Sequence, residues 1–276
     1  MGWFSKKKKD TDKVVEKVSF NEIESVNQQN PDKIYDDAFG KDITVFKEKC
    51  DVHEDLEVIN GFGVNEALIL ECINKIDKIY YSINLEIKEY IRDMILKHPE
   101  FCFILLDRTK GEIVGYLLCL GLNELGTVKF LMGQETFENM SEGIFADKES
   151  EGLFNLNVAE FAVLPEYQNN KTYQSLFSGL VDALVKEASK HRYVNYSFIE
   201  ISNIFEREFA EAMNYTTVND TANNRKMAGA KFDYNKFENI VGFEALKAAY
   251  ETDEAKQYLA LQQDYNYLFS GKVGKV

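Results

Sequence analysis

Residues Asn155 to Ser189 read NLNVAEFAVLPEYQNNKTYQSLFSGLVDALVKEAS, and this stretch decides the fold. Its first part, Asn155 to Leu164, is rich in Val, Leu, Phe and Asn. Leu156, Val158 and Glu160 alternate before a mixed run ending at Val163, so the segment reads as a strand with at least one buried face. Pro165 cannot donate to a ladder and holds Leu164 extended, so pairing stops there. Beyond it Leu176, Leu180, Leu184 and Ala188 recur at steps of four, flanked by Phe177, Val181 and Val185. That apolar stripe is wide enough to pack a helix on a sheet.

The joint between the two elements is the turn Glu166 to Tyr173. A helix leaves its first N–H groups without intrahelical partners and carries about half a positive charge at that end, so a strand-turn-helix joint is a ready anion site. Lys171 adds a formal positive charge. The competing reading is a plain loop that enters a core helix, and the pattern alone supports both.

The run Ala162-Val163-Leu164-Pro165-Glu166-Tyr167-Gln168, followed by a short turn and Leu176, resembles the acyl-CoA motif of the GNAT superfamily of N-acetyltransferases. Gln168 falls on the motif's Arg/Gln position and Leu176 on its helix leucine. The resemblance implies an α/β (α+β) fold: a mixed, mostly antiparallel sheet flanked by helices on both faces, with helical additions at both ends. It implies acetyl-CoA as co-substrate, its pantetheine arm along the strand at Phe161, Ala162 and Val163. The diphosphate would lie at Gln168, Asn169, Asn170, Lys171, Thr172 and Tyr173. Lys171 and Tyr173 stand where the motif has glycine. A side chain there costs about 1 kcal/mol or narrows the site. Lys171 can offset this by contacting phosphate, whereas a Tyr173 ring filling the hollow would leave only a borrowed scaffold.

The rest of the composition bounds the partners. The chain has 276 residues, 45% of them hydrophobic, enough for one large domain or a core with helical additions. A formal charge of −14 argues against a nucleic-acid backbone as ligand and favours basic or neutral acceptors. Cys50, Cys72, Cys102 and Cys119 form no CxxC pair, and His53, His98 and His191 have no metal-ligand spacing, so neither a disulfide framework nor a metal site is expected. No run reaches the length of a membrane span and no signal-peptide pattern opens the chain, which makes a reducing cytoplasm the expectation.

Along the chain, residues 1–19 read as a solvated basic tail. Trp3, Phe4 and Lys6 to Lys9 raise a membrane-surface alternative that four lysines without a lipid anchor support only marginally. Residues 20–240 are expected to form the acyltransferase-like domain, with Gly61 to Gly63 in a turn. Ile83, Ile87, Tyr90, Ile91, Met94 and Ile95 predict a helix ended by His98-Pro99. Phe101 to Leu106 and Glu112 to Gly121 predict a hairpin. The polar, acidic span 122–154 reads as an inserted excursion, either solvated or facing an acceptor. Tyr193 to Ile201 predicts a strand and Ile204 to Met213 a helix. The resemblance places a cofactor contact at Asn203. It leaves two registers for the element after that helix, Asn214-Tyr215 or Met227 to Lys231. The segment 241–276 reads as a helical extension, through Leu246, Tyr250, Tyr258, Leu261 and Tyr265.

The reaction the resemblance implies is attack of an amine, on a small molecule or a peptide, upon the acyl thioester. It needs a base for the amine, a donor for the thioester oxygen and an acid for the thiolate. Glu160 is the candidate base, since a carboxylate on a half-buried strand can accept a proton near neutrality. A backbone N–H near Val163 is the candidate donor, and Tyr215 the candidate acid. Cys102 and Cys119 lie in apolar strands without a histidine beside them, which argues against a thiol nucleophile. The alternative function is a catalytically inactive GNAT-like binding or structural module. Acceptor identity, acyl length and oligomeric state are not in the sequence.

Overall fold

A computed structural model describes residues 45–60, 99–135, 140–201, 204–220 and 226–269. Its strands are β1 (Leu56–Asn60), β2 (Cys102–Asp107), β3 (Glu112–Leu122), β4 (Gly152–Val163), β5 (Arg192–Ile201), β6 (Thr216–Asp220) and β7 (Lys226–Lys231). The α-helices among these residues are α1 (Glu124–Leu131), α2 (Asn170–Ala188), α3 (Ile204–Ala212), α4 (Phe243–Tyr250) and α5 (Asp253–Leu259). The strands form one sheet in the order β1-β2-β3-β4-β5-β7-β6. Only β4 and β5 run parallel; every other neighbouring pair is antiparallel. This is the mixed, mostly antiparallel sheet that the resemblance implies.

Local chemistry explains the two joints that matter. The β2–β3 hairpin turns at Asp107, whose Oδ1 accepts the N–H groups of Thr109 and Lys110, and closes on Gly111 at φ 64°, a conformation that favours glycine. Between β4 and β5 the chain must cross back to keep them parallel, and α2 is that crossover. Asn169 caps α2, its side chain accepting the N–H of Thr172 at 3.1 Å.

Strand register assigns the faces. Phe161 pairs with Leu117 and looks toward α2, where its ring meets those of Tyr173 and Phe177. Alternation along β3 places Leu120, its partner Asn157 and the adjacent Phe198 on the opposite face. There Phe130 of α1 meets Phe198, ring centroids 6.4 Å apart. Helices thus cover both faces, as expected.

Several details differ from the sequence reading. β1, with the sequence Leu-Glu-Val-Ile-Asn, is a strand for which the sequence reading has no counterpart; it has five residues at the edge of the sheet, too few for alternation to stand out. The helix expected across Phe243 to Phe269 is broken. Thr252 caps a new helix by accepting the N–H of Ala255, so α4 and α5 are separate and a 3-10 turn at Asn266–Phe269 comes after them. The acidic span holds α1, capped by Asn123. Of the two registers after α3, the first describes the chain: Asn214 takes φ 56° at the helix end and leads into β6, while Met227 to Lys231 lie in β7. The basic tail, Gly61 to Gly63 and the helix expected at Ile83 to Ile95 lie outside the described residues. No helix among the described residues is long and apolar enough to cross a membrane.

Candidate active site

The sheet opens where the sequence joint begins. The β4–β5 pairing runs from Gly152↔Arg192 to Val158↔Ile199 and stops, although β4 continues to Val163 and β5 to Ile201. On the other side of β4 the ladder slips at the same point: Cys119 pairs with Val158 and Leu118 with Glu160, which leaves Ala159 as a bulge. A bulge bends its strand and increases its twist, so it is the local cause of the divergence.

Backbone alternation fixes which groups face the opening. The Leu164 N–H donates to the Val114 carbonyl at 2.8 Å, and the Ala162 carbonyl lies against Gly115, both on the β3 side. Groups of Phe161 and Val163 therefore point the other way, toward the side that β5 has left. The Val163 carbonyl accepts the Gln168 side-chain amide at 3.1 Å. What remains on that edge is the N–H and C=O of Phe161 and the N–H of Val163, without ladder partners among the described residues.

Beyond Pro165 the turn is held by its own side chains. Tyr167 is buried, and its hydroxyl donates to Asp107 Oδ2 at 2.6 Å while accepting from Lys110 Nζ at 2.6 Å. Asp107 carries the hydrogen bonds of Thr109 and Tyr167, which hold its carboxyl well below the usual carboxylate range, while burial and Asp107 push the Tyr167 phenol up. This clamp ties the β2–β3 turn to the entrance of α2. Asn169 caps the helix from an exposed position, its amide donating to the Tyr167 carbonyl at 3.0 Å, and Lys171 is exposed too. Thr172 is fully buried, yet its hydroxyl has no hydrogen-bond partner among the described residues.

The opening is filled by aromatic rings. Tyr173 is 1% exposed and stacks on Phe205 of α3, centroids 5.5 Å apart, with Phe161 edge-on at 6.3 Å. Phe177 and Phe209 stack at 5.4 Å and 8°. Phe46, from the segment before β1, closes the cluster, 4.8 Å from Phe177 and 5.4 Å from Phe209. The cavity left among these rings and Glu208 is about 10 Å³, room for about one water. These rings leave no space for an extended chain such as a coenzyme A arm in this arrangement; the Phe161 and Val163 edge and the charge of Lys171 are the groups that such a chain would need exposed.

The candidate catalytic groups lie apart. Glu160 is half-buried and alternates with Phe161, which puts it on the face away from α2, beside Leu118. The Tyr215 hydroxyl donates to Ser197 Oγ at 2.6 Å, and burial pushes its phenol above the ordinary value. Phe209 touches both Tyr215 and Phe161, so the phenol sits behind that ring. Burial pushes the Cys102 thiol up to about 12 and Cys119 well above its usual value, which leaves neither as a thiolate. Asn203 lies outside the described residues, and among those described no group of three or more His, Cys, Asp or Glu is placed to hold a metal. Sequence reasoning missed the Ala159 bulge, the Asp107–Tyr167–Lys110 clamp and Phe46. Only the last left a signal, an apolar Val45-Phe46 pair in a charged stretch.

No family model and no curated protein sequence matches the chain. Among solved structures it is similar to Naa50 of Arabidopsis thaliana in complex with a bisubstrate analogue. The identity is 11% and the TM-score 0.42, over 64% of this chain and 99% of that one. A GNAT-family acetyltransferase from Streptococcus agalactiae aligns at 11% identity and TM-score 0.41, over 66% and 99%. A mosquito arylalkylamine N-acetyltransferase, like 5b, aligns at 11% and 0.42, over 64% and 99%. At these identities and scores the likeness is one of chain path and carries nothing about chemistry.

Proposed function

We propose that this chain is an acyl-CoA-dependent N-acetyltransferase, acting on an amine of a small molecule or peptide. The observation that carries the reading is the strand edge at Phe161 and Val163, which among the described residues loses its β5 ladder where β4 and β5 diverge beyond Val158. A pantetheine arm is an extended chain with two amides, and an open strand edge pairs with such a chain by main-chain hydrogen bonds. Lys171 and the Thr172 hydroxyl, at the start of α2, are the groups for the diphosphate.

In this reading the bound thioester supplies an activated acyl carbonyl. Glu160 takes a proton from the incoming ammonium. The neutral amine attacks the carbonyl, whose oxygen is held by the Val163 N–H; the N–C bond forms, the C–S bond breaks, and the thiolate is protonated. Tyr215 is the donor assigned to that last step.

A second reading, a GNAT-like scaffold without catalysis, is favoured by one observation: Tyr173 occupies a glycine position of the motif and its ring fills the hollow. Thermal unfolding with acetyl-CoA separates the two. Cofactor at a hundredfold over its dissociation constant adds about 2.7 kcal/mol of stability. The first reading expects that shift together with thiol release from acetyl-CoA in the presence of some amine. Binding without thiol release across a broad amine panel, or no binding at millimolar cofactor even after the crevice is opened by substitution, leaves the scaffold reading.

A further inference from the structure

The segment Val45 to His53 lies over the opening between β4 and β5, and the way it is held distinguishes it from everything else there. Tyr173 and Phe177 sit on α2, Phe205 and Phe209 on α3, and both helices pack on the sheet. Phe46 is carried by irregular backbone that precedes β1. The Phe46 carbonyl accepts from Asn239 Nδ2 at 3.0 Å, Cys50 Sγ donates to the Asn170 carbonyl at 3.6 Å, and the His53 N–H donates to Ser175 Oγ at 3.0 Å. Two of these three hold it to the first turns of α2, the same turns that carry Lys171 and Thr172.

We infer that residues Val45 to His53 form a strap that occludes the acyl-carrier crevice, and that withdrawal of Phe46 is what admits the pantetheine arm. This inference rests on the reading of the Phe161–Val163 edge as the pantetheine site. The geometry supports it from both sides. With Phe46 in place the crevice holds about 10 Å³, far less than any thioester chain requires. The backbone that carries the other rings is fixed in α2 and α3, whereas the strap is irregular backbone whose opening breaks three part-buried hydrogen bonds and the contacts of one ring with Phe177, Phe209 and Phe237, a local opening that leaves the helices and the sheet in place.

The test uses the full chain and two independent readouts. Calorimetric titration with coenzyme A is run on wild type, Phe46→Ala and Phe46→Leu, the last keeping an apolar contact while removing the ring. Alkylation of Cys50 by iodoacetamide, read by peptide mass spectrometry, is measured with and without coenzyme A in wild type. The expected result is tenfold or tighter binding in both variants and faster Cys50 alkylation in wild type when coenzyme A is present, because the thiol leaves the Asn170 carbonyl. Equal affinity in all three proteins with unchanged Cys50 alkylation overturns the strap and leaves the acyltransferase reading standing. Cooperatively melting proteins, none of which binds millimolar coenzyme A, overturn both. Should the variants fail to melt cooperatively, the wild-type alkylation rate decides alone.

Discussion

Tyr173 lies stacked on Phe205, their centroids 5.5 Å apart and their planes 30° from parallel, so one ring from the first turn of α2 and one from α3 bridge the gap that β4 and β5 leave. Tyr173 is thus used here for packing. Replacing a fully buried aromatic residue by alanine removes apolar burial and opens a cavity, which costs about 3–5 kcal/mol. Tyr173→Ala should therefore lower the urea midpoint strongly at an unchanged slope, and should raise affinity for coenzyme A in the same titration that tests Phe46. A variant of wild-type stability would mean that Tyr173 is not packed as described.

The clamp at the entrance of α2 gives a pH prediction whose sign is set by Asp107. Its folded pKa is depressed, chiefly by the hydrogen bonds from Thr109 and Tyr167, so its contribution is complete above the unfolded value near 4 and is lost as pH falls below it toward the folded value. Asp107→Asn removes the charge next to Lys110 but keeps a side-chain acceptor. The stability gap between wild type and Asp107→Asn, measured by urea unfolding, should be flat from pH 5 to 7 and shrink between pH 4 and 2. A gap that widens on acidification would contradict the assignment.

Much of the fold could be read from residues, because the signals were local. Pro165 ended a strand, leucines at steps of four made α2, and Asp107 with Gly111 made a hairpin turn. The order of helix-capable and strand-capable segments then fitted a mixed sheet. β1 escaped because an edge strand of five residues has too few positions for alternation to rise above noise. The break between α4 and α5 was hidden because Leu246, Tyr250 and Tyr258 keep helical spacing across it, while Thr252 acts through a cap that spacing does not register. For the site, the strand-turn-helix joint was visible, whereas its occupancy was not. Whether Tyr173 turns out toward a ligand or in toward Phe205 depends on α3, and whether the crevice is roofed depends on Phe46, more than a hundred residues away in the chain. The Ala159 bulge has no signature at all in the sequence, since any small residue suits it.

Arg192 and Glu187 form a pair at the end of the crossover, Nε to Oε2 at 2.6 Å with both side chains 4% exposed. Arg192 also donates to the Asp147 and Ser150 carbonyls and lies over the Phe154 ring, so it ties the polar span before β4 to the start of β5. Removing one partner of such a pair strands a buried charge and costs about 3–5 kcal/mol, while replacing both with apolar residues is often close to neutral. Glu187→Ala should thus be far less stable than Glu187→Met/Arg192→Met when both are unfolded in urea. Equal losses would show that Arg192's carbonyl contacts, and not the pairing, carry the stability.

Glu160 offers the sharpest test of catalysis, because its position separates binding from chemistry. It sits next to Phe161 in sequence but on the opposite face of β4, so its side chain is turned away from the rings that line the crevice and its backbone lies on the β3 side, opposite Leu118. Glu160→Gln keeps the shape and leaves the Phe161–Val163 edge intact. If the carboxylate accepts the amine proton, the variant should bind coenzyme A with wild-type affinity and transfer acetyl at least about a hundredfold more slowly, the lower bound of what a positioned general base contributes. The amine used is whichever gives thiol release with wild type. The loss should narrow as pH approaches the amine's own pKa, since the substrate then arrives already neutral. A variant equally slow at every pH would make Glu160 a structural residue, and one as fast as wild type would move the base elsewhere on the sheet.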